Sequence, residues 1–170
     1  MLKPQYLTRR IVMGELIEEV IAAPSFNSLE SPRILVEEED EQTRRDISRV
    51  LISAGFNAVS CSSSSKRDLP CPLEVSKGCG AVEEADVIFF SLDLNSQRSR
   101  HILKEIKLSN PRVPIVVEIT EQKDTYHLGL LLGTTFVYSP LTRENVTKAV
   151  RDAWKGPDRR QRILRETLSG

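Results

Sequence analysis

The chain has 170 residues, enough for one domain with elaborations, and folding at that size buries roughly 70% of the surface an unfolded chain exposes, so no disulfide or metal staple is required. Lysine plus arginine and aspartate plus glutamate are balanced at 24 each, which argues against a dedicated nucleic-acid binder with its basic excess. No run approaches the ~20 apolar residues of a membrane span, and the stretch after Arg9-Arg10 is broken by Glu15, Glu18 and Glu19 where a signal peptide would be continuously apolar. Together with an odd number of cysteines (Cys61, Cys71 and Cys79), these features lead us to expect a cytoplasmic protein in a reducing compartment.

In chain order, residues 5–23 read as a helix. Val12, Leu16 and Val20, with Met13, Ile17 and Ile21, recur at four-residue spacing and form a wide apolar stripe. Pro24 ends it, since proline lacks the helix donor. A polar link follows, and then strands and helices alternate. "RILVE" (33–37) is a strand; residues 40–55 are a helix with Ile47, Val50, Leu51 and Ala54 inward, stopped by Gly55. Further strands are expected at 56–61, 85–92, 113–120 and 135–139. Helices are expected at 97–110, 123–133 and 142–154, the last with Thr142 as N-cap.

Continuously apolar strands separated by helices are buried on both faces, which implies a parallel sheet. Five such units predict an α/β, doubly wound sheet in the order 2-1-3-4-5, with its site at the carboxyl ends of the strands. The expected division is an N-terminal helix and linker (1–31), the α/β domain (32–155) and a C-terminal tail (156–170). The one irregular passage is "SSSSKRDLPCPLEVSKGCGAVEE", where a helix is due and serines, prolines and glycines stand instead. Structureless connections longer than about 12–15 residues are uncommon unless functional or disordered. The passage is therefore either a short, poor helix or the specialised part of the molecule.

Four markers stand in order: "ILVEEEDEQTRRDISRVLISAGF", "ADVIFFSLDLN", "HILKEIKLSNPRVPIVV" and "GTTFVYSPLTRENV". With them the chain, over about 32–154, resembles the receiver domain of bacterial response regulators, a flavodoxin-like fold. The resemblance implies a phosphorylation site, and each part has a chemical reason. An acidic pair after the first strand would hold Mg²⁺, a hard cation that prefers oxygen ligands; Glu38 and Glu39 occupy those positions. The phosphoryl-accepting aspartate falls at Ser91, with Asp93 two residues later. The hydroxyl after the fourth strand falls at Ile119, with Thr120 one residue late. The aromatic switch position holds Phe136, and the lysine that would pair with the phosphoryl group is Ser139.

Losing the aspartate, the hydroxyl and the lysine together leaves little to drive a transfer that depends on metal and cationic stabilisation of spread charge. The chain therefore reads as a non-enzymatic pseudo-receiver, a signalling or regulatory domain that works through protein contacts. No cofactor is expected, with Glu38 and Glu39 the only candidates for Mg²⁺. Alternatives stay open: a phosphorylatable regulator using Asp93, or a small-molecule or redox sensor using the strand-end mouth or the Cys71/Cys79 loop. The three cysteines lack the close pairs of a zinc site, and His101 and His127 are isolated. Partners are expected to be proteins, with the apolar stripe of the first helix pointing to a homodimer. Neither a membrane nor a nucleic acid is expected, because no reading module follows the domain and Asp158 and Glu166 interrupt the basic tail.

Overall fold

Side chains alternate across a strand, so a strand covered on both faces must be apolar at every position. Strands β1 (Arg33–Glu37), β3 (Val87–Phe90) and β4 (Ile115–Ile119) come nearest that condition, broken only by Arg33, Glu37 and Glu118 toward their ends, and form the middle of the sheet. β2 (Asn57–Ser60) and β5 (Thr135–Tyr138) are less buried and lie at the edges. All neighbours pair in parallel, and the order is β2-β1-β3-β4-β5, as the alternation predicts. These elements come from a computed structural model that describes residues 31–61, 71–75, 78–120 and 128–156. The helix expected at 5–23, much of the serine-rich passage, the first part of the helix expected at 123–133, His127 and the C-terminal tail lie outside the described residues.

One face of the sheet is covered by α1 (Glu41–Ser53) and α5 (Arg143–Trp154). Ile34, Val36, Phe89 and Val116 from the strands pack there against Ile47, Leu51, Val146 and Val150. Both helices begin on a side-chain cap. Asp40 accepts from Thr43 N at 2.7 Å, and Thr142 and Asn145 satisfy each other's backbone in a capping box. α1 ends before Gly55, whose φ of 89° is the left-handed conformation glycine adopts without strain.

The other face receives α3 (Gln97–Ser109) and three short pieces: a 3₁₀ turn at Pro72–Val75, α2 (Gly80–Glu83) and α4 (Leu128–Leu131). Leu35, Ile88, Phe90 and Val117 pack there with Ile102, Leu103, Ile106, Leu73 and Val82. Among its described residues, the irregular passage contributes a 3₁₀ turn and a four-residue helix where a doubly wound domain has one full helix. β1 has the expected bounds, while β2, β3, β4 and β5 are a residue or more shorter than the runs that foretold them, because a run continues into the loops at the sheet's rim.

A carboxylate and serine mouth

At the carboxyl ends of β1, β3, β4 and β5 four polar side chains converge. β3 delivers Ser91, the first residue beyond it and 2% exposed. Its backbone N–H donates to Glu37 O at 2.8 Å, which fixes the chain as it leaves the sheet. Ser91 Oγ lies 2.7 Å from Glu38 Oε2 and in hydrogen-bond contact with Glu118 Oε2. Glu118 Oε1 in turn accepts from Ser139 Oγ, beside the cis Ser139-Pro140 peptide. Glu38 is held from behind: Asp40 N donates to its Oε1 at 2.9 Å, and Arg44 Nη1 donates to its backbone O at 3.0 Å. Both carboxylates are nearly fully buried, Glu38 at 3% and Glu118 at 4% exposed. A hydroxyl has one proton to give, so Ser91 can satisfy one carboxylate at a time.

Glu37 points to the opposite side of β1 from Glu38, toward α3. Burial pushes its carboxyl up to about 7, against the pull of the Cys61 thiol hydrogen bond and of the Arg98 and Arg44 guanidinium groups. Arg98, on the first turn of α3, forks onto Glu74 of the 3₁₀ turn (Nε to Oε1 2.8 Å, Nη2 to Oε2 3.1 Å). Its Nη1 reaches Glu39 at 3.4 Å. The hydrogen bond from Arg98 holds the Glu74 carboxyl below its ordinary range, and the same bond raises Arg98.

The positions singled out from sequence therefore separate. Glu38, Ser91 and Ser139 come together. Glu39 turns outward and is about half exposed, on the Arg98 side. Asp93 is exposed and folded back on its own loop, accepting from Asn95 N at 2.9 Å and Asn95 Nδ2 at 3.0 Å. Ile119 is buried in the core on the α3 face, so it does not supply the mouth, and Phe136 sits on the edge strand, 40% exposed. Thr120 is half-buried one residue beyond β4. Cys71 is buried in the α3-side core, while Cys79 is half-buried and packed against it. His101 is exposed on α3.

Glu118 is the residue sequence reasoning passed over. One signal for it was present: a lone carboxylate inside the apolar run "IVVEIT". The hydroxyl was sought one position later, at Ile119, but alternation sends Ile119 and Glu118 to opposite faces.

Mg²⁺ does not fit this arrangement well. The acidic pair diverges, with Glu38 turned to Ser91 and Glu39 to Arg98. Among the described residues no group of three or more histidine, cysteine, aspartate or glutamate side chains could hold a metal ion. Also among the described residues, no helix is long and apolar enough to cross a membrane.

No family model matches the sequence, and no curated protein matches it. Solved structures do match the fold. NtrX from Brucella abortus is similar at TM-score 0.59 and 16% identity, over 82% of this chain and 29% of that one. A response regulator receiver domain protein from Clostridium thermocellum is similar at TM-score 0.59 and 20% identity, over 78% of this chain and 98% of that one. A third match, at TM-score 0.57 and 15% identity over 78% of this chain and 55% of that one, belongs to streptococcal redox sensors evolved from two-component response regulators. The class defined by sheet order and likeness is that of proteins with the flavodoxin-like receiver fold. The chain spans under a third of NtrX and nearly all of the clostridial domain.

Proposed function

We propose that this chain is a receiver-like signalling module that works through protein contacts and takes no phosphoryl group at the end of β3. The observation that supports this reading is the position of Ser91 between two buried carboxylates, Glu38 and Glu118. A phosphoryl dianion placed there would face like charges in a desolvated site, where repulsion is large. Ser139, where the resemblance expects a lysine, brings a hydroxyl in its place. Mg²⁺ is accordingly not required. The contact surface we favour is the β5 and α5 side, where Leu132, Phe136 and Tyr138 are exposed at 74%, 40% and 61%. The apolar stripe at Met13, Leu16 and Ile17 is the proposed self-association segment.

Incubation with acetyl phosphate and Mg²⁺, followed by intact mass, should show no added phosphoryl group. A stable gain located on Asp93 would overturn the reading in favour of a phosphorylatable regulator. For the contact role, Leu16→Glu with Ile17→Glu should convert a dimer into a folded monomer by light scattering. An unchanged mass would remove the homodimer.

One observation favours redox sensing as the second reading. Cys71 and Cys79, the pair singled out from sequence, both pack in or against the α3-side core that also holds Cys61, and a structural neighbour is described as a redox sensor. Diamide treatment should then join two of the three cysteines in an intramolecular disulfide that peptide mapping locates; three free thiols after treatment would end this reading.

A further inference from the structure

We propose that Arg98 is a latch that joins the loop after β1 to the 3₁₀ turn at Pro72–Val75, so that the charge state of Glu39 sets how readily the 71–75 segment opens. The proposal does not depend on whether the neighbouring mouth takes phosphate. Arg98 touches three separate parts of the chain: its own helix α3, Glu39 in the loop after β1 at 3.4 Å, and Glu74 in the 3₁₀ turn at 2.8 and 3.1 Å. The bond to Glu74 is the planar two-point fork that guanidinium and carboxylate make best. Glu74 passes the connection on, because its Oε2 also accepts from Cys71 N at 3.0 Å. Cys71 and Leu73 are buried at 3% and 2% exposure beneath that fork.

Among the described residues of this passage the regular elements are short. The 3₁₀ turn has four residues, α2 has four, and Cys79 at the N-cap of α2 makes no side-chain cap bond. Segments with few internal hydrogen bonds open at low free-energy cost, so a single charged fork can set the opening equilibrium. Glu37 and Glu39 both lie within electrostatic reach of Arg98. Neutralising or moving either changes how strongly the guanidinium is held beside the end of β1.

Alkylation of Cys71 by iodoacetamide in the intact native chain, located by peptide mass, reads the opening. Amide exchange of β3 (Val87–Phe90) reads global unfolding in the same samples. Breaking a charged fork should raise the Cys71 rate about tenfold or more in Arg98→Ala and in Glu74→Gln, with Arg98→Lys between them and wild type and β3 exchange unchanged. Coupling is read by a double-mutant cycle between Glu39→Gln and Glu74→Gln. The two should be non-additive with Arg98 present and additive in the Arg98→Ala background. An unchanged Cys71 rate, a rise matched by faster β3 exchange, or additivity with Arg98 present would each overturn the latch.

Discussion

The two faces of the sheet are built differently. The α1/α5 face carries two helices of 13 and 12 residues, each capped by a side chain and each packing apolar side chains on the sheet, Ile47 and Leu51 from α1 and Val146, Val150 and Ala153 from α5. Among the described residues the α3 face carries one helix of that length and three elements of four residues each; Glu37 is buried there against Cys61, while Glu38 and Glu118 are buried on the other side. Helix stability in proteins comes mostly from packing an amphipathic face, and short pieces pack few side chains. The α1/α5 face is therefore the scaffold, and the α3 face is the part that can change without unfolding the rest.

Truncating matched leucines tests this most severely. Leu51 on α1 is fully buried, and Leu51→Ala should cost about 2–5 kcal/mol of global stability in urea unfolding, the range for buried leucines. Leu73 is almost as buried at 2%, yet Leu73→Ala should cost less than about half as much, because its segment can open locally before the domain unfolds. Equal losses would show that the two faces form one cooperative unit and would break the contrast.

The next largest effect is pH dependence confined to the α3 face. The Glu37 carboxyl is raised by burial from 4.5 to about 7. Between those values the folded state holds a proton that the unfolded chain has released. Stability contributed by this group is full below about pH 4.5, declines as pH rises toward 7, and is flat above. At about 1.4 kcal/mol per pH unit the decline amounts to at most about 3.5 kcal/mol. Glu37→Gln carries no titrating proton, so urea midpoints at pH 5 and pH 8 should differ less in the variant than in wild type. The same pH difference in both would mean that Glu37 does not titrate in this window.

The same contrast explains how much could be read in the sequence. The sheet order follows from the alternation of apolar runs with amphipathic ones, and α1, α3 and α5 declare themselves by periodicity and by Asp40, Gly55 and Thr142 at their ends. These are local signals that burial reinforces. The mouth was legible where a residue's position is fixed by a strand end, as at Glu38, Ser91 and Ser139. It was not legible at Glu118, because linear counting cannot tell which of two neighbouring residues turns inward at the rim. Nor was the Arg98–Glu74 fork, whose partners are 24 residues apart and meet only once α3 and the 3₁₀ turn are packed together. Asp93 looks like a phosphoryl acceptor in the string "LDLN", but the loop folds it onto Asn95. A short turn of this kind satisfies an aspartate locally.

The smallest expected effect concerns the helix starts. Thr142→Ala removes the capping box of α5 and should cost about 1 kcal/mol of global stability. α2 offers the reverse experiment. Its N-cap, Cys79, already has the extended backbone an N-cap requires, with φ −119° and ψ 108°, but a thiol that makes no cap bond. Cys79→Ser changes one atom and places a stronger acceptor before the free N–H groups of the helix. The gain should be a few tenths of a kcal/mol, about 0.5 at most, reduced by the packing that the half-buried sulfur now makes against the α3-side core. Because this face opens locally, the gain should appear as slower amide exchange at 82–84, with the global unfolding midpoint nearly unchanged. A shift of the global midpoint as large as that of Thr142→Ala would mean that α2 is part of the scaffold after all. Faster exchange at 82–84 would mean that sulfur packing outweighs the missing cap.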